Sequence, residues 1–184
     1  MIGSGAMVIG LFFMVIGLIV SGILKSKIAK YQQIPVKGGL TGKDIAERML
    51  SENGIHDVQV VSVPGRLSDH YNPLNKTINL SEEVYSQSNV SAAAVAAHEC
   101  GHAVQHATQY SWLRMRSQLA PVVGFASGWV MWIILAGLII AGSLGQTLLL
   151  AGIILFGLIT LFSFITLPVE IDASNRAIKW LQGS

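Results

Sequence analysis

Ala97-His98-Glu99-Cys100-Gly101-His102 is a His-Glu-x-x-His sequence set in residues 91–107, a run of mostly Ala, Val, Gln and His with no proline and only Gly101 against helix. On a helix turning about 100° per residue, His98 and His102 lie about 40° apart, and Glu99 lies about 100° from one and 60° from the other. All three share one face. Two imidazoles one turn apart can bind the same Zn²⁺ at about 2.0–2.1 Å each, and the carboxylate beside them can take the proton from a zinc-bound water. The motif predicts a helix over about residues 91–108, with His98 and His102 as ligands of one catalytic Zn²⁺ and Glu99 as the catalytic base. A purely structural zinc site has no use for Glu99 beside the metal.

Composition sets the surroundings of that helix. Charged residues make up 12% of the 184, against roughly 25% in ordinary soluble domains. Hydrophobic residues make up 52%, and the mean hydropathy is +0.56. The chain reads as an integral membrane protein in contact with a lipid bilayer. A formal charge of +2, with the basic residues not gathered into a patch, argues against nucleic acid as a partner. The single cysteine excludes an internal disulfide.

Three stretches are long and apolar enough to span a membrane. Residues 6–24 carry no charge and nearly cross a hydrocarbon core of about 30 Å. The uncharged opening, residues 1–5, lacks the basic region of a cleaved signal peptide, so a retained anchor is expected. Within it Gly3, Gly10 and Gly17 recur every seven residues, a spacing that could face another helix or be tolerated by chance. Residues 119–141, with Pro121 tolerable in the first turn, and residues 147–167, stopped by Pro168, read as a hairpin joined by the uncharged turn of residues 142–146. Trp112, Arg114 and Arg116 form an interfacial patch at the entry to the first of these spans.

Between the anchor and the hairpin lies a small α+β part. Thr41 caps a helix over residues 42–52, with Ile45, Met49 and Leu50 at helical spacing and Asn53-Gly54 as its end. Residues 58–63 alternate as a strand, and Pro64-Gly65 breaks it. Residues 76–80 read as a second strand after a loop at 69–73, and they are the candidate for an open edge along which a substrate backbone pairs.

All 12 Lys and Arg residues lie between Lys25 and Arg116 or at Arg176 and Lys179. By the positive-inside rule the zinc-bearing part faces the cytoplasm, and the N-terminus and hairpin turn lie outside, in a multi-pass protein of the cell (inner) membrane. Two spans return the chain to the side of His98 and His102, and the first acid then met is Glu170. Glu170 is the expected third ligand, with Asp172 the competitor and Asp69 behind it. An interfacial Glu170 paired with Arg176 is the bland alternative. His106 lies about 12 Å along the axis from His98, beyond a shared metal. Cys100, on the far side of the helix, reads as a packed small residue.

The sequence from His98 to His102, the two-helix hairpin, and Val169-Glu170-Ile171-Asp172-Ala173-Ser174 together resemble the YugP-type membrane neutral zinc metallopeptidases, and more distantly the HtpX-like and CaaX-processing membrane proteases. The similarity extends to residues 67–71 and 79–81. The resemblance implies a zinc metallopeptidase of the HExxH…E gluzincin type, with zinc on His98, His102 and Glu170 and Glu99 as catalytic acid/base. It also implies a protein or peptide substrate. In the HtpX-like enzymes an aspartate stands where this chain has Ser174, which leaves Asp172 or Asn175 to support a zinc-bound histidine. The relatives continue into another hydrophobic segment, so a short or truncated chain is expected, with Gly183-Ser184 suiting a vector scar.

The predicted fold is mainly α: three transmembrane helices plus a small zincin-like α+β domain with a short sheet at the membrane surface. Its parts are a membrane helix (1–24), a cytoplasmic part (25–117), a hairpin (118–167) and a segment with the third ligand (168–184). The predicted function is hydrolysis of peptide bonds in membrane or membrane-associated proteins, with Arg176, His70 or Tyr110 as oxyanion donor. The alternative is a membrane scaffold or partner-binding protein with a structural or inactive zinc site. A fourth protein ligand on zinc in place of water would favour it.

Overall fold

The computed structural model describes residues 4–183; Gly3 and Ser184, named above, lie outside them. Its centre is α4, Val90–Ala107. Asn89 caps the helix, its side-chain oxygen accepting from the Ala92 amide at 2.8 Å. Small residues (Ala93, Ala96, Ala97, Cys100 and Ala103) are buried along it, so neighbouring backbones approach closely on either side.

On one side sits α2, Gly42–Glu52. Thr41 and Asp44 form a reciprocal capping box, and Ile45, Ala46, Met49 and Leu50 turn inward. Asn53 closes the helix and Gly54 follows at φ +69°, as the sequence predicts. Beside it lies a three-stranded sheet of β1 (Gln59–Val63), β2 (His70–Asn72) and β3 (Thr77–Ser81). A short helix, α3 (Glu82–Ser86), leads back toward α4.

The strand order β1-β3-β2 overturns the expectation that residues 76–80 offer an open edge. β3 is central, parallel to β1 and antiparallel to β2, with Ile78 and Leu80 buried in the core. Its second neighbour, β2, falls in the stretch that reads as a loop. Three residues are too few to display an alternating pattern, and only the pairing of Tyr71 with Ile78 reveals the strand.

Three helices are long and apolar enough to cross a membrane: α1 (Ser4–Gln32), α5 (Ser111–Ile139) and α6 (Ser143–Gly183). With the small sheet they give the mainly helical membrane architecture expected from the sequence. Gly10 and Gly17 on α1 meet nothing within 4 Å. Those two thus mark no helix contact within this chain. By contrast, α5 and α6 close on each other through glycine. A side chain at Gly137 would stand 2.6 Å from the Leu149 amide nitrogen, and one at Gly152 would stand 2.6 Å from Ile134.

Both prolines act differently from expectation. α5 begins at Ser111, so Pro121 lies well inside it, and α6 runs through Pro168 without a break. An interior proline costs about 3 kcal/mol through its lost hydrogen bond and ring clash. Beyond Pro168 the helix is held by burial of Val169, Ala173 and Ala177. It is also fixed by its approach to α4, where a side chain on Gly101 would lie 2.5 Å from the Ala173 carbonyl oxygen.

Candidate active site

That close approach is what brings the site together. α4 carries His98, Glu99 and His102, and the extension of α6 beyond Pro168 lays Glu170 against them. One carboxylate oxygen, Glu170 Oε2, lies 3.2 Å from His98 Nε2 and 3.5 Å from His102 Nε2. All three donor atoms fall within 4.8 Å of one another. Donors bonded to one tetrahedral zinc at about 2.0–2.1 Å stand about 3.3–3.4 Å apart, so these two separations suit that ion. Among the described residues this cluster offers three donors, which leaves a fourth position open.

Each imidazole is steered from behind. The buried Gln105 donates its amide nitrogen to the Val169 carbonyl and to Asp172 Oδ2, both at 2.8 Å. Those partners only accept, so the amide oxygen faces His102 Nδ1 at 3.0 Å and must receive its proton. The lone pair of His102 is thereby left on Nε2, pointed at the cluster. His98 Nδ1 meets Ser174 Oγ at 3.2 Å. Ser174, the position that departs from the resemblance, therefore supports a histidine itself. Asp172 reaches His102 only through Gln105, and its other partner is Arg176 at 2.6 Å.

Glu99 is buried, and its Oε2 accepts from the Tyr71 amide of β2 at 3.0 Å. Burial raises the carboxyl pKa above its ordinary value, against the pull of His102 and His98. A carboxylate held by one oxygen and disposed to take a proton can act as a general base. Cys100 points the other way. Its thiol donates to the Ala46 carbonyl, and burial keeps it protonated.

A cleft of about 680 Å³ opens over the three α4 residues. β2 forms one wall with His70 and Tyr71, and α5 forms the other with Arg114, Arg116 and Gln118. Arg116 Nη1 lies 3.5 Å from the second oxygen of Glu170, so this arginine is tied to the cluster. His106 stays apart from the three donors. Its Nδ1 shares a hydrogen bond of 2.7 Å with the Tyr71 hydroxyl across the cleft.

The remaining sequence candidates separate by position. Asp69 lines the cleft but spends its carboxylate on Ser81, accepting from the amide at 2.7 Å and the hydroxyl at 3.3 Å. Of the three proposed oxyanion donors only His70 lines the cleft, with its Nδ1 donating to the Ser68 carbonyl at 2.7 Å. Arg176 borders a second cavity and lies 6.0 Å from the ring of Tyr110. Sequence reasoning missed Gln105, Tyr71 and the tie from Arg116 to Glu170. Gln105 was detectable, because three residues beyond His102 is a neighbouring position on a helix. Tyr71 was not, since its role depends on β2.

Comparison with known proteins identifies the family. The family described as "Putative neutral zinc metallopeptidase" matches residues 6–184. A Bacillus subtilis (strain 168) protein described as "Putative membrane protease YugP" is 46% identical over 154 residues, covering 84% of this chain and 67% of that protein. No solved structure matches.

Proposed function

Since this chain belongs to the neutral zinc metallopeptidase family, we propose that it is a membrane-embedded endopeptidase cutting membrane or membrane-associated proteins at the cytoplasmic face. The observation that carries the reading is the meeting of His98, His102 and Glu170 around one point, with Glu99 beside them and a cleft above. His98, His102 and Glu170 hold the zinc. When bound, zinc supplies the Lewis acidity that polarises a peptide carbonyl and lowers the pKa of water toward about 7.

The remaining steps belong to the chain. Glu99 takes the proton of the attacking water and returns it to the departing amine. Gln105 and Ser174 keep the two imidazoles turned toward the metal. β2, rather than β3, is the strand along which the substrate backbone lies, with His70 on the cleft wall beside it.

The chain divides into an anchor (1–24), a cytoplasmic catalytic part (25–117), a hairpin (118–167) and a return segment bearing the third ligand (168–184). The distribution of lysine and arginine supports this orientation, because none lies in residues 1–24 or between Arg116 and Arg176. The start of α5 in the cleft wall supports a substrate at the membrane surface, since the same helix enters the apolar span a few residues later.

The test is the parent protein beside Glu99→Gln, purified in detergent, with zinc content and cleavage of unfolded casein measured on both. Zinc in both with cleavage by the parent alone is the expected result. Equal cleavage by both would overturn the role of Glu99, and absence of zinc from the parent would overturn the site.

A further inference from the structure

The cleft ends at a turn that catalysis does not use. β2 and β3 are joined through Pro73, Leu74, Asn75 and Lys76, and the apical Leu74 is 91% exposed. The exposure is built in. Asn72 Oδ1 accepts from the Leu74 amide at 2.9 Å and the Asn75 amide at 3.3 Å, while Lys76 sits at φ +51° and pairs with Asp57. The turn therefore holds its leucine outward.

A lone exposed leucine is ordinary on a soluble surface. Leu74 differs in what shares its cleft. Pro73 and Leu74 line it together with Gln118 and Ala120 of α5. Ala120 lies just inside the stretch where α5 leaves Arg114 and Arg116 and continues uncharged to its end at Ile139. The turn thus shares its cleft with the start of the apolar stretch of α5. From Tyr71 to Asn75 it carries no charge, and the arginines opposite suit the headgroup layer.

The sheet supplies its own comparison. Leu67, on the β1–β2 connection, is 84% exposed but does not line the cleft. Asn72 pairs with Thr77 and His70 with Asn79, so the two leucines follow from opposite ends of β2, a strand about 7 Å long between those residues.

We propose that the Pro73-Leu74 turn inserts into the interfacial layer of the bilayer beside α5, so that this end of the cleft opens onto lipid. Leu74 is the inserted side chain, and Leu67 stays in water.

The test uses the buried Cys100, which leaves an added thiol as the reachable one. Leu74→Cys and Leu67→Cys are labelled with an environment-sensitive nitrobenzoxadiazole dye, with the unmodified protein as the labelling control. Both are reconstituted in vesicles of equal parts phosphatidylcholine and phosphatidylglycerol. The probe at position 74 should emit at shorter wavelength, be quenched by nitroxide-bearing lipids and be shielded several-fold from aqueous iodide relative to position 67. Equal iodide access at the two positions, or lipid quenching at 67 matching that at 74, overturns the proposal. The readout is independent of proteolysis, so it stands apart from the fate of the catalytic assignment.

Discussion

Replacing Gln105 with leucine keeps the volume and removes every hydrogen bond the side chain makes. Gln105 is fully buried, accepts from His102 Nδ1 at 3.0 Å, and donates to Val169 and Asp172 at 2.8 Å each. The leucine leaves the His102 N–H and the Val169 carbonyl without these partners, at about 1–3 kcal/mol apiece, whereas Asp172 keeps Arg176. Loss of the hydrogen bond behind a metal-bound histidine typically weakens metal binding 10–100-fold, which is about 1.4–2.7 kcal/mol. We therefore expect Gln105→Leu to raise the zinc dissociation constant about 10–100-fold, measured by competition with a fluorescent chelator. Gln105→Glu separates two causes. Its carboxylate still accepts from His102 but cannot donate to Val169 or to Asp172, whose carboxylate it then faces, so it should lose stability in denaturant while binding zinc within about threefold of the parent. Equal loss of zinc affinity in the two variants would mean that α4 and α6 have merely loosened, and would refute the steering of His102.

Other outcomes follow from the same geometry. Removing zinc with a chelator should abolish cleavage and lower the thermal midpoint, since zinc at 1,000 times its dissociation constant contributes about 4 kcal/mol; readdition of zinc should restore both, and an unchanged midpoint would argue against the site. Gly101→Val should cost at least about 2 kcal/mol and weaken zinc binding, because its Cβ would meet the Ala173 carbonyl at 2.5 Å; a variant with parental zinc affinity would show that this contact does not place Glu170. Thr41→Ala should cost about 1 kcal/mol by removing the cap of α2, read by chemical denaturation, with zinc affinity untouched. Hydrogen bonds from Thr41 lower the Asp44 pKa, so its contribution is present above the unfolded value near 3.8 and is lost as pH falls through the folded one; Asp44→Asn should flatten that acid limb of the stability curve.

Legibility in the sequence tracked the range of the interaction. α2 and α4 are set by neighbours along the chain, such as the Thr41–Asp44 box and the Asn89 cap, and their bounds agree with the sequence to within a residue. The approach of Glu170 to His98 was legible because two long apolar stretches joined by a short turn form a hairpin that returns the chain to α4. Pro168 misled because local propensity opposes helix there, whereas tertiary burial of Val169 and Ala173 sustains it. The sheet misled for a related reason: which strand is central depends on pairing across the fold, and nothing in residues 76–80 records that both sides are taken.

The unbroken course of α6 has a mechanical consequence. Glu170 rides on a rod of 41 residues whose far end is the hairpin turn, about 40 Å away along the axis. A tilt of one degree about that turn would carry its carboxylate about 0.7 Å, several times the tolerance of about 0.2 Å expected of a metal–ligand distance. A bilayer that thins or thickens tilts its helices by more than this. The membrane thus positions Glu170 only coarsely, and the fine adjustment falls to the glycine-sized seam where Gly101 admits Ala173.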